Sequence, residues 1–153
     1  MRTTSKVLIG VGLLSGVALF VGGSFASTPV AEKKAIYGES KPVGPYSPGI
    51  DVGDTVYLAG QIGLAGGKMV EGGVEAETRQ LMKNAAAVLK NAGLDFSHVV
   101  KTTVFLADIQ DFQAMNQVYA GFFEGSIPPA RSTVAVAALA LGARVEIDFI
   151  AVR

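Results

Sequence analysis

Two segments whose apolar residues recur at helical spacing lie between β-branched runs, and this alternation limits the folds available to the chain. Residues 74–92 form the first segment, and Gly93 follows it as a typical helix-ending residue. Residues 111–124 form the second segment, which ends before Gly125. The predicted strands are 35–37, 50–52, 55–62, 99–106, 131–138 and 144–152. This order predicts an α+β fold, in which a single mixed sheet of about six strands carries two helices on one face.

The first 26 residues have the layout of a secretory signal peptide. A basic stretch, residues 1–6, precedes an uncharged run, residues 7–23, and Ser24-Phe25-Ala26 has the spacing of a cleavage site. We therefore expect residues 1–26 to be cut off after Ala26, so that residues 27–153 form one domain exported to the periplasm. The alternative is an uncleaved N-terminal membrane anchor, for which the apolar run is short against a bilayer core of about 30 Å. The intact mass of protein from the cell envelope distinguishes the two.

Charge and composition exclude several classes of function. The chain has 13 basic and 13 acidic residues, and loss of the leader leaves 11 against 13, a net charge of −2. Such a surface has no overall attraction for nucleic acid or anionic lipid, so contact with a membrane is expected only through an uncleaved leader. The absence of cysteine excludes disulfides, thiol nucleophiles and thiolate metal sites. With His98 as the sole histidine, a multi-histidine metal site is excluded too, and His98 itself is expected to be structural or solvated.

One cation and one acid lie in otherwise apolar predicted strands. Arg131 follows Pro128-Pro129-Ala130 and opens a β-branched run, and Glu146 lies in the last strand. The planar guanidinium of arginine binds a carboxylate through two parallel hydrogen bonds. A glutamate can orient a water molecule and transfer protons. Strands with one solvated face also carry charges at alternate positions, so the pair is either a candidate site or part of a solvated surface.

Seven segments downstream of the leader, spanning residues 35–153, carry a specific combination of turn formers, strand residues and charges. In chain order they are Gly44-Pro45-Tyr46-Ser47-Pro48, Tyr57-Leu58-Ala59-Gly60-Gln61-Ile62, Val100-Lys101-Thr102-Thr103-Val104-Phe105-Leu106, Asp111-Phe112, Asn116-Gln117-Val118-Tyr119, Pro129-Ala130-Arg131-Ser132-Thr133-Val134 and Val145-Glu146-Ile147-Asp148. Together they resemble the RidA (YjgF-like) family of reactive enamine/imine deaminases.

The resemblance implies a fold, an assembly and a reaction. The implied fold is chorismate-mutase-like, and the implied assembly is a homotrimer whose sheets face a central core, with sites between subunits. Apolar residues on both sides of strand 131–138 independently favour oligomerisation, because such a surface should not stay in contact with water. The implied reaction is that of a 2-iminobutanoate/2-iminopropanoate deaminase. It hydrolyses 2-imino acids, or the tautomeric 2-enamino acids, to 2-keto acids and ammonia without a metal or organic cofactor.

The same resemblance assigns roles to residues. Arg131 would hold the substrate carboxylate, and Glu146 would deprotonate the attacking water and return a proton to the leaving nitrogen. Tyr46 would cover the substrate and donate a hydrogen bond. Further substrate-binding groups are implied at Gly60, Gln61, Thr133 and, from a neighbouring subunit, Asn116. Gly60 is also expected to allow a close approach of backbone or ligand.

Two departures and one alternative accompany this interpretation. Ala59 stands where the family often has serine, and the link 139–143 lacks the proline usual there. The alternative function is a non-catalytic exported trimer that binds small carboxylates or client proteins in the same clefts, because a source of imine outside the cytoplasm is not evident. An RNA-cleaving activity is not supported, since the mature chain is slightly acidic and has no groove of basic and aromatic residues.

A short link between the last two predicted strands sets the expected distance between the two charges. If strands 131–138 and 144–152 pair as a hairpin closed by residues 139–143, Glu146 lies opposite Val136. Arg131 is then about 17 Å away at ~3.4 Å per residue. A three- or four-carbon substrate cannot bridge that distance, so we expect the two side chains to meet only across a subunit boundary.

Overall fold

The structure, a computed structural model, describes residues 32–39 and 42–153. The predicted signal peptide, residues 1–26, lies outside the described residues. Among the described residues, no helix is both long and apolar enough to cross a bilayer. The elements are β1 Lys34–Ile36, β2 Gly49–Asp51, β3 Thr55–Gln61, β4 Leu64–Ala65, β5 Lys68–Met69, α1 Gly73–Asn91, β6 Val99–Leu106, α2 Phe112–Gly121, β7 Ala130–Ala135 and β8 Val145–Val152. The predicted order is confirmed, and the small hairpin of β4 and β5 is added to it.

The predicted mixed sheet is confirmed, with six strands in the order β1-β2-β3-β8-β6-β7. Among the strands of the described residues, only β6 and β7 pair in parallel, and every other neighbouring pair in this sheet is antiparallel. The last strand of the chain, β8, therefore lies in the interior of the sheet between β3 and β6. Strand β7 lies at one edge.

The hairpin predicted between residues 131–138 and 144–152 is wrong. β7 pairs with β6 instead, and α2 is the helical crossover that parallel strands require. Residues 136–144 pass around the end of β6, where the Val136 N–H donates to Leu106 O at 2.9 Å and the Ala107 N–H donates to Arg144 O at 2.9 Å. A short link permits a hairpin, but here it spans one intervening strand.

The helices cover one face of the sheet and form a single core with it. From α1, a stripe at helical spacing is buried against the sheet: Leu81, Met82, Ala85, Val88 and Leu89. Alternate residues of the central strands meet it: Val56, Leu58, Val104, Leu106, Ile147 and Phe149. Burying one such large side chain stabilises the fold by about 1.5–3 kcal/mol. The period-2 and period-3.6 patterns in the sequence thus meet in one apolar layer.

The two helices end differently from one another. Gly93, with φ of 75°, follows α1 as predicted, and the Leu94 N–H donates to Leu89 O at 2.9 Å. The prediction that α2 extends over 111–124 is wrong, because the helix stops at Gly121. There the chain tightens into i→i−3 hydrogen bonds from Phe122 and Phe123, which turn the buried ring of Phe123 into the core.

The second face of the sheet is not covered by any described element. Large apolar side chains stay exposed on it, including Tyr57 at 48% and Val134 at 45% exposure. Val134 also lies on the edge strand β7, all but one of whose residues are exposed. A chain of this size rarely leaves such a surface in contact with water.

Candidate active site in two pockets

Glu146 lies in a pocket with two other predicted site residues, Tyr46 and Gly60. The remaining lining is apolar and consists of Val43, Ala59, Ile62, Leu64 and Ala140. We call this cleft, of about 230 Å³, the Glu146 pocket. Gln61 lines an adjoining cleft that shares Tyr46 and Gly60, and its Nε2 donates to Ala59 O at 2.9 Å. The structure therefore brings Tyr46, Gly60, Gln61 and Glu146 together.

A β-bulge in β3 lies at residue 60, where the side chain of Glu146 leaves room only for glycine. Leu58 pairs with Phe149 but Gln61 pairs with Ile147, so two residues of β3 stand against one of β8. A Cβ at Gly60 would collide with Glu146 Oε1 and would lie 2.7 Å from its Cδ. A close approach at Gly60 thus occurs, but it is made by the side chain of Glu146 and not by the backbone or ligand that was predicted. Only a residue without a side chain lets this carboxylate lie flat against β3.

Burial makes Glu146 easier to protonate than an exposed glutamate. The loss of solvent raises the pKa of its carboxyl group, and the negative charge of Asp148 raises the pKa further. Asp148 lies two residues along β8 on the same face and accepts the Thr103 N–H at 2.9 Å. A carboxyl group with a raised pKa is suited to taking a proton from water and returning it.

Arg131 lies in a different pocket, on the other side of the sheet. Its lining comprises Asn116, Tyr119, Ala120, Phe123, Glu124, Pro128, Pro129 and Arg131. In this Arg131 pocket two polar groups lack partners. Arg131 forms no ion pair with any residue in 32–39 or 42–153, whereas Arg144 and Arg153 are paired with Asp111 and Asp51. The buried Oδ1 of Asn116 has no hydrogen-bond partner within the same part of the chain. The guanidinium group of Arg131 is therefore available to a ligand, whereas the Asn116 oxygen is buried behind the pocket wall.

The register of the sheet keeps the two charges apart within one chain. Arg131 stands opposite Thr102 on β6, and Glu146 stands opposite Phe105. Three residues along β6 and two strand spacings across the sheet separate their Cα atoms by about 14 Å. Thr102 faces the helices, whereas Phe105, three residues on, faces the uncovered side. Arg131 and Glu146 therefore project from opposite faces, and one chain cannot place both on a small substrate.

Of the remaining residues considered from the sequence, Asn116 lines a pocket, whereas Thr133 and His98 do not. Asn116 lines the Arg131 pocket of its own chain, so any neighbour that supplies Asn116 supplies Arg131 as well. Thr133 is half-buried two residues further along β7 and lines neither pocket. His98, expected to be structural or solvated, joins Asp95 at 2.9 Å in a capping box, outside both pockets.

The sequence analysis assigned no site role to three residues that shape the site. The rings of Phe112 and Tyr119 lie under the Arg131 guanidinium. Glu77, on α1, is buried and accepts the Arg144 N–H at 2.8 Å. Arg144 also donates two hydrogen bonds of 2.9 Å to Asp111. These contacts fix the start of β8, two residues before Glu146.

Fold and site together define a class of protein: in the described residues, an α+β fold holds an arginine without an ionic partner in one pocket and a half-buried carboxylate in another. The family model of Endoribonuclease L-PSP matches residues 37–153. The chain therefore belongs to this family, which is the YjgF/RidA family, and the resemblance drawn from its motifs is confirmed.

Individual relatives cover most of the chain. The 2-iminobutanoate/2-iminopropanoate deaminase of Mus musculus is 50% identical over 113 residues, which are 72% of this chain and 83% of the relative. The chloroplastic Reactive Intermediate Deaminase A of Arabidopsis thaliana is 41% identical and covers 99% of this chain and 89% of its own. Among solved structures, the YjgF gene product of E. coli has a TM-score of 0.74 at 40% identity, covering 78% of this chain and 98% of its own. E. coli TdcF with bound serine has a TM-score of 0.71 at 35% identity, covering 82% and 99%.

The substitution Asp148→Asn tests the electrostatics of Glu146. The amide oxygen can still accept the Thr103 N–H, but the negative charge is gone, so the pKa of Glu146 should fall. It should stay above the ordinary glutamate value because burial, the larger cause, remains. A raised carboxyl pKa costs the native state stability as the pH rises through it, and the variant should therefore lose less stability over that range.

A ¹³C NMR titration of the Glu146 carboxyl group measures this pKa directly. Asp54→Asn is the matched control, because it removes the same charge from a turn at the far end of β3. The control should leave the Glu146 titration unchanged. An Asp148→Asn protein in which Glu146 titrates as in the wild type would contradict the assignment.

Proposed function

We propose that this protein hydrolyses reactive 2-imino acids and their 2-enamino tautomers, such as 2-iminobutanoate and 2-iminopropanoate, to 2-keto acids and ammonia. The observation that carries the proposal is the unpaired guanidinium of Arg131, since a carboxylate is the ligand that its donor fork matches best. Glu146, whose carboxyl pKa is raised, supplies the proton-transfer group. The naming of mouse and plant relatives as deaminases supports the same reaction.

The chemistry needs one binding step and two proton transfers. Arg131 binds the substrate carboxylate and fixes C2, the imine carbon, in one place. As the water oxygen bonds to C2, ionised Glu146 takes one proton from water and passes it to the imine nitrogen, which gives a neutral carbinolamine. Glu146 then takes the proton of the carbinolamine hydroxyl group and delivers it to the amino nitrogen, the C–N bond breaks, and ammonia leaves as the C2 carbonyl forms. Tyr46 closes the Glu146 pocket over the substrate, and Asn116 completes the wall of the Arg131 pocket.

The active unit is a homotrimer in which the Glu146 pocket of one subunit meets the Arg131 pocket of the next. The uncovered sheet face and the exposed edge strand β7 supply the surface that such an assembly buries. The positions of Arg131 and Glu146 on opposite faces of one sheet support the shared site. The bound serine in E. coli TdcF supports a ligand with an α-carboxylate. The working protein is the exported domain, residues 27–153, in the periplasm after cleavage of the leader.

Variants of the two charged residues test the reaction. With imines generated in situ from alanine or 2-aminobutanoate by an amino-acid oxidase, the mature protein should accelerate keto-acid formation. Arg131→Ala should abolish turnover and leave only weak residual binding of the keto acid, and Arg131→Lys should be severely impaired because a point charge cannot replace the fork. Glu146→Gln should bind the keto acid normally and turn over about 10²–10⁴ times more slowly.

Two results would decide against this function. An Arg131→Ala protein as active as the wild type would show that the carboxylate site is elsewhere. A wild-type protein that binds keto acids through Arg131 without accelerating hydrolysis would favour the non-catalytic binding protein.

The fit of Glu146 against Gly60 yields a separate prediction with a matched control. Gly60→Ala forces the carboxylate away from β3, and a displacement of this size should lower kcat about 10²-fold. The fold should persist because the colliding atoms belong to a side chain that can rotate. Gly121→Ala adds the same methyl group where no atom lies within 4 Å and should leave kcat unchanged. Equal kcat values for the two variants in steady-state assays, with both proteins folded, would refute this role of Gly60.

A further inference from the structure

The guanidinium group of Arg131 is held by aromatic rings and by no carboxylate of the described chain. Its Cζ lies 4.8 Å from the centre of the Tyr119 ring and 5.8 Å from that of Phe112. Both distances are within the range in which a cation is attracted to the face of an aromatic ring. Arg131 itself is exposed on an edge strand, where a long side chain with four rotatable bonds would otherwise sample many conformations.

Tyr119 is fixed more firmly than the arginine above it. Its side chain is 5% exposed, and its hydroxyl group shares a hydrogen bond of 2.9 Å with Thr102 Oγ1, which is fully buried. Thr102 is the β6 residue directly opposite Arg131 on β7. Phe123 packs against the Tyr119 ring with a centroid distance of 4.8 Å. Burial raises the pKa of the Tyr119 hydroxyl, so the ring remains neutral over the working pH range.

We propose that Tyr119 is a positioning residue, whose ring, anchored through Thr102, holds the Arg131 guanidinium in the orientation that binds a substrate carboxylate. This inference rests on the proposed role of Arg131. An acidic partner would also restrain the arginine, but it would occupy the same N–H donors that the substrate needs. A ring face attracts the cation and leaves the edge of the guanidinium free. Ordering the side chain before binding removes part of the entropy cost of binding.

The alternative is that Tyr119 serves only as a core residue of α2. The two roles differ in what they predict for coupling between residues. A core residue affects the whole fold whether or not Arg131 is present, whereas a positioning residue acts only through Arg131. A double-mutant cycle measures this difference.

The test combines Tyr119→Phe and Tyr119→Leu with Arg131 and with Arg131→Ala. Calorimetric titration with 2-oxobutanoate, the stable product of 2-iminobutanoate hydrolysis, gives the dissociation constants, and steady-state assays give KM and kcat. Tyr119→Leu removes the ring and should weaken binding about fivefold to thirtyfold, with the larger effect on KM. Tyr119→Phe keeps the ring and should stay within about threefold of wild type. In the Arg131→Ala background neither change should alter the residual binding.

NMR of the wild type provides a second measurement that needs neither a folded variant nor turnover. The side-chain Hδ and Hε resonances of Arg131 should be shifted upfield by the ring below, relative to the unfolded chain. Unshifted resonances would overturn the proposal. So would a Tyr119→Leu effect of equal size in both Arg131 backgrounds, or no effect in a folded and assembled protein.

The outcomes separate this inference from the proposed function. Coupled binding without hydrolysis would overturn the deaminase activity alone, and hydrolysis without coupling would overturn the role of Tyr119 alone. A wild-type protein that binds no keto acid would overturn both.

Discussion

The pairing of β8 on both of its edges decides where Glu146 lies relative to Gly60, Tyr46 and Arg131. Through β3, it brings Glu146 against Gly60 at a bulge and next to Tyr46. The pairing with β6 places Glu146 opposite Phe105, three residues along β6 from Thr102, which lies opposite Arg131. Glu146 and Arg131 therefore lie on opposite faces of the sheet. Because a shift of one residue would exchange the two faces of β8, the buried Ile147 and Phe149 fix the register. The same apolar packing that stabilises the fold therefore determines the geometry of the site.

Three polar groups of the site depart from what stability alone would favour. Arg131 has no ionic partner in the described chain, the buried Asn116 Oδ1 accepts no hydrogen bond there, and Glu146 is half-buried beside another carboxylate. A buried polar atom without a partner costs about 1–3 kcal/mol. Such costs concentrate at functional sites, where a ligand or a neighbouring subunit supplies the missing partner. In the proposed trimer, one substrate would contact both Arg131 and Glu146.

Local patterns predicted most of the fold, since periodicity is a property of a segment and its own residues. The stripe from Leu81 to Leu89, the Gly93 helix end and the limits of β6 followed from spacing and turn chemistry. The predicted hairpin is wrong because the partner of a strand depends on residues far along the chain. Here α2 connects β6 to β7, and these two strands pair in parallel. The predicted end of α2 is wrong because the chain leaves the helix to bury the side chain of Phe123 in the core.

The candidate site was predicted through residue types and a family resemblance, and not through geometry. Arg131 and Glu146 were singled out because they are charged residues in otherwise apolar strands. No local pattern could reveal that Gly60 makes room for Glu146. Nor could it reveal that Tyr119 lies beneath Arg131, because both contacts join residues distant in sequence. The hairpin predicted from the sequence also separated Arg131 from Glu146, but for the wrong reason. The actual cause of their separation is strand β6, which lies between their two strands in the sheet.

The most direct measurement of the shared site is the activity of mixed oligomers. Arg131→Ala and Glu146→Gln proteins, each inactive, are dissociated, combined in equal amounts and reassembled, and native mass spectrometry verifies the mixed species. If each site takes Arg131 from one subunit and Glu146 from the next, random assembly should restore about one quarter of wild-type activity. Mixed oligomers that remain inactive would contradict a site formed by two subunits.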